Sequence, residues 1–556
     1  MKKIILFVLI FTCHFLFSQK ELSKDYSYKV SAPYKVFDAK QKIYFSQNNQ
    51  SITIKFDEKK VLIQKFDNEK PSFKKEKLYE KFFPKNYRVE DVLELNSKYY
   101  VLYSSWNGDD DKEQLFSVEI DFEKGEFLTP KLIISIDGKI TGKKSFSFFG
   151  GGIYDMMDGT QDKFDFLVSH DKKKMLVQYR KKPEVKNDKK SYDIIGLVAF
   201  DDDMTQISEK ELKMPYTERK MDNLDYQLDN EGNLYLLAKV FHDDSNDDKK
   251  RSKDETANYH IELFFIKSGT NEIKISKFEN KNKFITKLWL FDSPQNFLVC
   301  GGFFNNGKDN SGFFSRESEL DDSDGVLAFK IDKQGNIYDA VSHEIPAEII
   351  NQYESAKTKK KNDKKEKKGN VPKIANLVLD HIIVNQDGSL VLIGEQYFVV
   401  THTSMGANGS MSTRTTYSYL DILATKIGVS GELMWMKKIP KSQYGTRGQG
   451  GMSYKYFSAN NQHYLIFLDN VKNIDLPIDK TPAQHTDGQG GYLTAVKIAD
   501  SDGTISKSSI LNGRDIEDFK MHQFSVDRVF KTSENTFMLE VYKKKKEDVM
   551  IKVEMK

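Results

Sequence analysis

Cysteine is almost absent from this chain. Its 556 residues include two cysteines, Cys13 and Cys300. Because Cys13 lies in an N-terminal segment that we expect to be removed, the mature chain keeps Cys300 alone and cannot form an intramolecular disulfide. Its stability must therefore come from packing, which a chain of this length can supply. Cys300 lies in the apolar run 297–301, so we predict a small buried side chain rather than a catalytic thiol.

Long hydrophobic runs are also absent, except at the N-terminus. Two lysines precede the mostly apolar stretch 4–17, and Ser18 and Gln19 follow it. This order is typical of a secretory signal peptide, whereas a membrane-spanning helix needs about 20 apolar residues. We therefore predict a signal peptide at 1–19 and no transmembrane segment after its cleavage. The mature chain is expected to be periplasmic, associated with the outer membrane, or secreted.

Net charge is small, because 85 Lys and Arg residues nearly balance 82 Asp and Glu residues to give +3. There is therefore no net electrostatic case for nucleic-acid binding. Charged residues make up 30% of the chain and mean hydropathy is −0.59, which excludes a multispan membrane protein. Aromatic residues at 12% argue against wholesale disorder, since they can build cores.

Common enzyme signatures are missing as well. The Gly-x-Ser-x-Gly elbow of serine esterases does not occur, and His343-Glu344 lacks the second histidine of a zinc-protease motif. Carboxylate pairs are abundant but have no fixed spacing, so a glycosidase stays possible. Two functions remain open. The first is a non-enzymatic binding or assembly protein, and the alternative is a hydrolase or lyase acting on carbohydrate or peptide.

Internal repeats are the strongest positive signal. Three segments, 325–331, 421–427 and 491–498, are apolar strands with a Lys near the end, and each is followed by a Gly turn and another strand. This order predicts β-hairpins. A second recurring pair of strands lies upstream, joined by turns such as Asp229–Asn233 whose Gly and Asn residues tolerate positive φ.

Four strands per unit at this spacing predict the blades of a β-propeller. We expect eight blades, with seven as the competing count, and an all-β fold over 20–556. The strand predicted at 28–37 would complete the last blade and close the ring. The second strands of the eight units are predicted to begin near Ser51, Tyr99, Met175, Leu234, Phe297, Leu390, His463 and Phe537.

The segment from Asp421 to Trp435 has the pattern Asp-apolar-apolar-Ala-x-Lys-Ile, followed by Gly-x-apolar-x-Trp. It resembles the β-propeller repeats of secreted bacterial proteins, a family whose function is mostly unassigned. The resemblance implies a propeller fold and implies no catalytic residues.

The long predicted loops concentrate on one face of the ring. In a propeller, loops between second and third strands open on the same face as connections between blades. Loops on one face favour a binding face, and neutral elongation of surface turns is the alternative. The loops are 106–111, 180–191, 241–258, 304–324, 401–419 and 470–490 within blades, and 148–163, 348–377 and 441–452 between blades.

Two kinds of loop have a simple composition. The lysine-rich insertion 357–370 is predicted to be disordered and solvated, with contact to an anionic partner as the alternative. The Asp-rich segments 243–248 and 321–324 offer oxygen ligands for calcium, but lysines surround them. We therefore expect no cofactor, with calcium as the alternative.

Aromatic and polar residues of the loop face are the candidate binding residues, and none is predicted to be catalytic or to bind a metal. The expected partner is a protein or a glycan in the cell envelope or outside the cell. The candidates are Trp106, Tyr154, His402, Arg447, Gln449, His485 and Asp487.

Overall fold

The structure is a computed structural model in which strands dominate, and the α-helices of the described residues lie in one insertion. The described strands form eight largely antiparallel sheets that follow one another along the chain, most of them four-stranded at their centre. The predicted all-β class is therefore confirmed, and the arrangement is β-propeller-like. The structure describes residues 22–141, 163–183, 190–250, 256–270, 272–307, 322–369, 372–405, 410–446, 452–486, 490–517 and 519–556.

The strands of the first half of the chain are, in order, β1 (Tyr26–Val30), β2 (Tyr34–Lys35), β3 (Gln41–Gln47), β4 (Gln50–Phe56), β5 (Lys60–Asp67), β6 (Ser72–Glu80), β7 (Tyr87–Leu95), β8 (Lys98–Asn107), β9 (Lys112–Asp121), β10 (Glu126–Phe127), β11 (Lys131–Asp137), β12 (Ile140–Thr141), β13 (Phe164–Val168), β14 (Lys174–Lys181), β15 (Tyr192–Asp201), β16 (Gln206–Thr217), β17 (Met221–Leu228), β18 (Leu234–Phe241), β19 (Tyr259–Ile266) and β20 (Ile273–Phe278).

The strands of the second half are β21 (Phe284–Asp292), β22 (Phe297–Asn305), β23 (Gly325–Asp332), β24 (Ile337–Glu344), β25 (Leu377–Val384), β26 (Leu390–Met405), β27 (Met411–Ile427), β28 (Leu433–Ile439), β29 (Gln443–Gly445), β30 (Lys455–Ala459), β31 (Gln462–Asp469), β32 (His485–Thr486), β33 (Tyr492–Ala499), β34 (Ile505–Asn512), β35 (Val529–Ser533), β36 (Thr536–Lys544) and β37 (Glu547–Met555).

We number the sheets in chain order. Sheet 1 holds β3 to β6, sheet 2 β7 to β11, sheet 3 β12 to β16, sheet 4 β17 to β20 and sheet 5 β21 to β24. Sheet 6 holds β25 to β29 with β32, sheet 7 holds β30, β31, β33 and β34, and sheet 8 holds β35 to β37 with β1 and β2. The second strand of each sheet begins within one residue of its predicted start.

Each sheet packs an apolar face against the next sheet of the chain. Val101 of β8 shares a buried cluster with Ile54 of sheet 1, whereas its neighbour Leu102 packs with Val177 of sheet 3. The two directions follow from the strand period, since successive side chains point to opposite faces. Burying such a side chain contributes roughly 1.5–3 kcal/mol, so the central strands are held from both sides. Comparable clusters join the later neighbours.

Sheet 8 also contacts sheet 1. The rings of Tyr44 and Phe530 stack with centroids 5.0 Å apart, in a cluster that includes Met538. The fully buried carboxylate of Glu540 accepts hydrogen bonds from Tyr44 Oη at 2.8 Å and Lys42 Nζ at 2.9 Å. The last sheet of the chain is thus joined to the first by an apolar cluster and by buried charge.

The N-terminal strand pairs with a strand from the opposite end of the chain. β1 pairs antiparallel with β37, from Tyr26 opposite Met555 to Val30 opposite Ile551. Tyr26 is 4% exposed, and it packs in the core shared by sheets 7 and 8. The predicted place of the N-terminal strand beside the last sheet is confirmed.

The predicted turns owe their shape to short polar residues. The Asp229 carboxylate accepts the backbone N–H groups of Glu231 and Asn233, each at 2.9 Å. Gly232 has φ +87°, a value that L side chains rarely adopt. The turn between β17 and β18 is therefore fixed by its own sequence, as expected.

Cys300 lies on the second strand of sheet 5 and is 0% exposed. Burial raises the pKa of its thiol well above the ordinary value, so the reactive thiolate is disfavoured. The prediction of a buried structural cysteine is confirmed.

The segment 401–419, predicted as a loop, is instead the outer half of a long hairpin. β26 and β27 pair continuously from Tyr397 opposite Tyr419 to Met405 opposite Met411. Thr, Val and Tyr are frequent strand formers, and their preference outweighs the Ser and Gly content that suggested a loop.

The lysine-rich insertion also differs from the prediction. Residues 356–366 form an exposed helix, α2 (Ala356–Glu366), after the short helix α1 (Ala347–Ile350). Ser355 caps it by accepting the N–H of Thr358, and Lys, Ala and Glu favour helix. Residues 370–371 lie outside the described part. None of the described helices is long and apolar enough to cross a membrane.

Candidate functional site

Trp106 lies at the end of β8, where the hairpin to β9 begins. The Lys139 ammonium lies 5.1 Å from the centroid of its half-buried ring. Asn86 donates a hydrogen bond to its carbonyl at 2.8 Å. These contacts hold the indole at the edge of sheet 2.

The two predicted histidines lie on separate strands of sheet 6. His402 is exposed on β26, opposite Arg414. His485 is buried on β32, and its N–H donates to the Ser442 carbonyl at 2.8 Å. The two histidines therefore lie on different strands, and both belong to a different sheet from Trp106. The remaining candidates, Tyr154, Arg447, Gln449 and Asp487, lie outside the described residues.

A different group of ionisable side chains gathers on the first strands of sheets 6 to 8. We call it the inner-strand cluster. It contains Asp380 and His381 of β25, Tyr454 directly before β30, Lys455 at the start of β30, and Asp527 before β35. A β-bulge interrupts β25 at Asp380, and bulges re-aim side chains. The bulge brings two polar residues into a strand that is otherwise apolar.

The Tyr454 hydroxyl is the centre of this cluster. Tyr454 Oη donates to Asp380 Oδ2 at 3.0 Å and lies 3.3 Å from His381 Nδ1. Burial, followed by the charge of Asp380, raises the pKa of Tyr454 well above its ordinary value. Burial, followed by the charge of Glu395, raises the pKa of Asp380. One phenol thus connects a carboxyl group and an imidazole on facing strands.

The charged groups beside Tyr454 are perturbed as well. Burial and then the positive charge of Lys455 lower the pKa of His381 to about 3. Burial lowers the pKa of Lys455 and raises that of Asp527, while each partly offsets the effect on the other. Asp380, His381 and Lys455 are nevertheless only partly buried, and Asp527 is exposed. These groups are thus crowded by protein atoms while part of each side chain still contacts solvent.

A fully buried network holds the base of Tyr454 in place. Ser453 Oγ donates to Glu395 Oε2 at 2.6 Å, and Lys441 Nζ lies 2.5 Å from Glu395 Oε1. The Ser453 N–H donates to Gln443 Oε1 at 2.7 Å. These bonds hold Ser453, the residue before Tyr454, in place. They thereby help to position the Tyr454 hydroxyl.

Tyr456 extends the cluster toward the opposite end of the sheet. Its ring centroid lies 4.9 Å from that of His381, and its hydroxyl lies 2.9 Å from His463 Nδ1. His463 Nε2 in turn lies 3.0 Å from Asp500 Oδ1. Burial lowers the pKa of His463, although Asp500 favours the charged form. A chain of hydroxyl, imidazole and carboxylate therefore leads away from the Tyr454 hydroxyl.

The arrangement can exchange hydrogen bonds and protons with a polar ligand. Perturbed ionisable groups gathered in one place are typical of functional sites. Sequence reasoning missed this cluster, because it looked for function in the loops, whereas these residues lie on strands or directly before them. The available signal was the pair of ionisable residues within the otherwise apolar run 377–384.

The described residues contain no group of three or more His, Cys, Asp or Glu side chains placed to hold a metal ion. In the Asp-rich segment 243–248, the Asp243 carboxylate accepts hydrogen bonds from Ser245 and Asn258. These bonds lower the pKa of Asp243 to about 2. Asp321, in the second Asp-rich segment, lies outside the described part.

No family model matches the sequence, and no curated protein matches it. Solved structures that resemble the chain include a prolyl endopeptidase, with a TM-score of 0.38 and 10% identity over 91% of this chain. The chain spans 55% of the length of that endopeptidase.

Two further similar structures are shorter proteins or domains. The β-propeller domain of the Trilobed protease from Pyrococcus furiosus has a TM-score of 0.31 and 10% identity over 77% of this chain and 90% of its own. A polysaccharide lyase has a TM-score of 0.33 and 10% identity over 86% of this chain and 94% of its own. At these values the likeness does not extend to activity.

Proposed function

We propose that the chain is an exported eight-bladed β-propeller that binds a protein or glycan partner outside the cytoplasm without turning it over. The eight sheets would be the blades, and β1 would complete the last blade. The pairing of β1 with β37 supports this closure. The contacts of Phe530 and Glu540 in sheet 8 with Tyr44 in sheet 1 support it further.

The inner-strand cluster carries the binding proposal. In a closed propeller the first strand of each blade lines the central opening. Asp380, His381 and Lys455 lie on the first strands of sheets 6 and 7 and keep contact with solvent, so they would face this opening. They offer a carboxyl group, a neutral imidazole and an ammonium group to a polar ligand, which suits a glycan or a peptide backbone.

Binding of the purified mature protein to glycan and peptide arrays tests this proposal. We expect bound glycans or peptides that are lost in the double variant Asp380→Asn, His381→Gln. Asp502→Asn, in an exposed turn of sheet 7, is the matched control and should bind like the unchanged protein. Loss of binding in His402→Gln with retention in the double variant would contradict the proposal and move the site to the hairpin.

A hydrolase or lyase acting on carbohydrate or peptide is the second candidate function. The favouring observation is the Tyr454 hydroxyl, which lies within hydrogen-bond reach of both Asp380 and His381. Such a phenol can pass a proton between a ligand and its neighbours, as general acid–base catalysis requires.

Turnover separates the two functions. The ligands found on the arrays are incubated with the protein and their products are measured by mass spectrometry. Under the binding proposal the ligands stay intact. Products that disappear in Tyr454→Phe, but persist in the control Tyr464→Phe, would establish the enzyme and overturn the non-enzymatic proposal.

Export rests on the sequence of 1–19. Expression of the full chain in a bacterial host, followed by intact-mass measurement of each cell fraction, tests it. We expect a chain that begins near Lys20 in the periplasm, the membrane fraction or the medium. A full-length chain confined to the cytoplasm would contradict export.

A further inference from the structure

The outer half of the β26–β27 hairpin leaves the outer edge of β26 unpaired, and in the described part of the chain the outer edge of β27 is also unpaired from Met411 to Thr416. β25 pairs with β26 only as far as Gln396, and the Tyr397 N–H donates to the Asn376 carbonyl at 3.1 Å. Beyond Tyr397, no strand in the described part of the chain pairs with this edge of β26. We call residues 398–405 of β26 and 411–416 of β27 the ribbon.

The strand period identifies the backbone groups on that edge. The Tyr397 N–H points away from β27, because it bonds to Asn376 on the other side. The register from Tyr397 to Met405 is regular, so alternate residues share this direction. The N–H and C=O groups of Val399, Thr401 and Thr403 therefore face outward along the free edge.

The ribbon lacks the features that usually protect such an edge. Arg414 is the single Asp, Glu, Lys or Arg residue between Glu395 and Asp421, in a chain with 30% charged residues. The segment contains no proline. Exposed edges are normally blunted by lysine, proline or a bulge, because they otherwise pair with another strand. This edge is thus open to strand addition.

Apolar side chains of the ribbon are exposed to solvent. Met405 is 76% exposed, Met411 70% and Val399 48%. An isolated two-stranded ribbon is marginally stable in water, whereas three or more strands are stable. Addition of strands to the edge of β26 would therefore stabilise the ribbon.

A second copy of this chain fits the edge in charge and register. The edge is free of charge that would repel an identical edge, and two-fold dimers are the commonest protein assemblies. With the two-fold axis at Thr401, Val399 of one protomer lies opposite Thr403 of its partner. The outward N–H and C=O groups of Val399, Thr401 and Thr403 then meet partners, because the pairing is antiparallel.

We propose that the mature protein forms a two-fold dimer through the β26 edges of two ribbons, which join into one four-stranded sheet. This inference is independent of the ligand function, since it uses none of the residues of the inner-strand cluster.

Sedimentation equilibrium of the purified mature protein tests the dimer. We expect twice the monomer mass at about 100 µM and a dissociation constant that rises tenfold or more in Thr401→Glu, Thr403→Glu. The matched control Thr413→Glu, Thr415→Glu places the same charges on the same face of β27 and should stay dimeric. Each double variant removes the hydrogen bond between Thr401 Oγ1 and Thr415 Oγ1, so the loss of that bond affects the two variants equally.

A cysteine variant tests the register. Residues facing each other across a hydrogen-bonded antiparallel pair have Cα atoms about 5.5 Å apart, which suits a disulfide. Thr401→Cys should form a covalent dimer under mild oxidation, whereas Thr413→Cys should not, and Cys300 is buried in both. A monomeric unchanged protein at every concentration, or equal cross-linking of the two variants, would overturn the proposal.

Discussion

His381 is neutral in the folded chain at pH values where a free imidazole already binds a proton. Burial and Lys455 lower its pKa to about 3, against about 6.5 for a free side chain. Between these values the unfolded chain binds more protons than the folded chain, so stability rises with pH. The contribution is therefore full above about pH 6.5 and is lost progressively as the pH falls toward 3.

Replacement of His381 by Gln should remove this pH dependence. As the pH falls from 6 to 4.5, the free energy of unfolding of the unchanged protein should decrease faster than that of the variant. The difference in slope should be up to about 1.4 kcal/mol per pH unit. Urea unfolding at a series of pH values measures the difference. His402→Gln, at an exposed position, is the control and should follow the unchanged protein. Parallel curves for His381→Gln and the unchanged protein would show that the imidazole is not shielded.

Single residues were predictable where the local sequence alone decides their surroundings. Cys300 lies in an apolar strand, and its burial follows from that strand. The inner-strand cluster could not be predicted in this way. Asp380 and Tyr454 are 74 residues apart, and their hydrogen bond depends on how two sheets pack. The same holds for the shifted pKa of His381, whose neighbour Lys455 comes from another strand.

Elements followed the sequence where turns are encoded by Gly, Asn and Asp, as at Asp229–Asn233. They departed from it where composition and alternation disagree. Residues 401–419 are rich in Thr and Ser, which occur in loops and in strands alike, and only pairing with a second strand decides between them. The helix α2 likewise depends on the cap at Ser355, which a count of lysines does not register.

A buried lysine ties the insertion containing α1 to sheet 6. Lys438 Nζ donates to the carbonyls of Ile350 at 3.1 Å and Gln352 at 2.9 Å. It also lies 3.0 Å from Glu354 Oε1 and 3.1 Å from Asp421 Oδ2. Asp421 opens the repeat motif seen in the sequence, so the acidic position of this repeat has a structural partner.

Lys438→Met should release this insertion. The change leaves the Asp421 carboxylate and two carbonyls without their cation, and breaking a buried pair in this way costs about 3–5 kcal/mol. We expect faster amide hydrogen exchange in residues 347–354, with the rest of sheet 6 less affected. Lys437→Met is the control, because that neighbouring lysine is only partly buried. Equal exchange in both variants would contradict the tethering role.

At the scale of the whole molecule, the order of the sheets follows from strand alternation. Apolar residues such as Val101 and Leu102 point to opposite faces of one strand, so each face requires a neighbouring sheet. The repeat therefore predicts a stack of sheets, each between two neighbours. It does not by itself predict that the stack closes, because closure depends on contacts between the two ends of the chain.

Removal of the N-terminal strand tests that closure. Deletion of residues 22–30 removes β1, exposes the edge of β37 and leaves the space that the buried side chains of Tyr26 and Tyr28 fill. Loss of large buried side chains costs about 3 kcal/mol or more, so we expect a lower unfolding temperature. Hydrogen exchange should rise most at the edge of β37, from Ile551 to Met555, where the strand loses its partner.

Deletion of residues 22–24 alone is the control, because these residues precede β1 and should leave the unfolding temperature unchanged. A closed ring transmits the loss at β37 to its neighbours, so exchange should also increase at Tyr44 and Phe530, where sheets 1 and 8 meet. An increase confined to β37 would contradict closure, because it would show that the loss in sheet 8 has no effect where sheet 8 meets sheet 1.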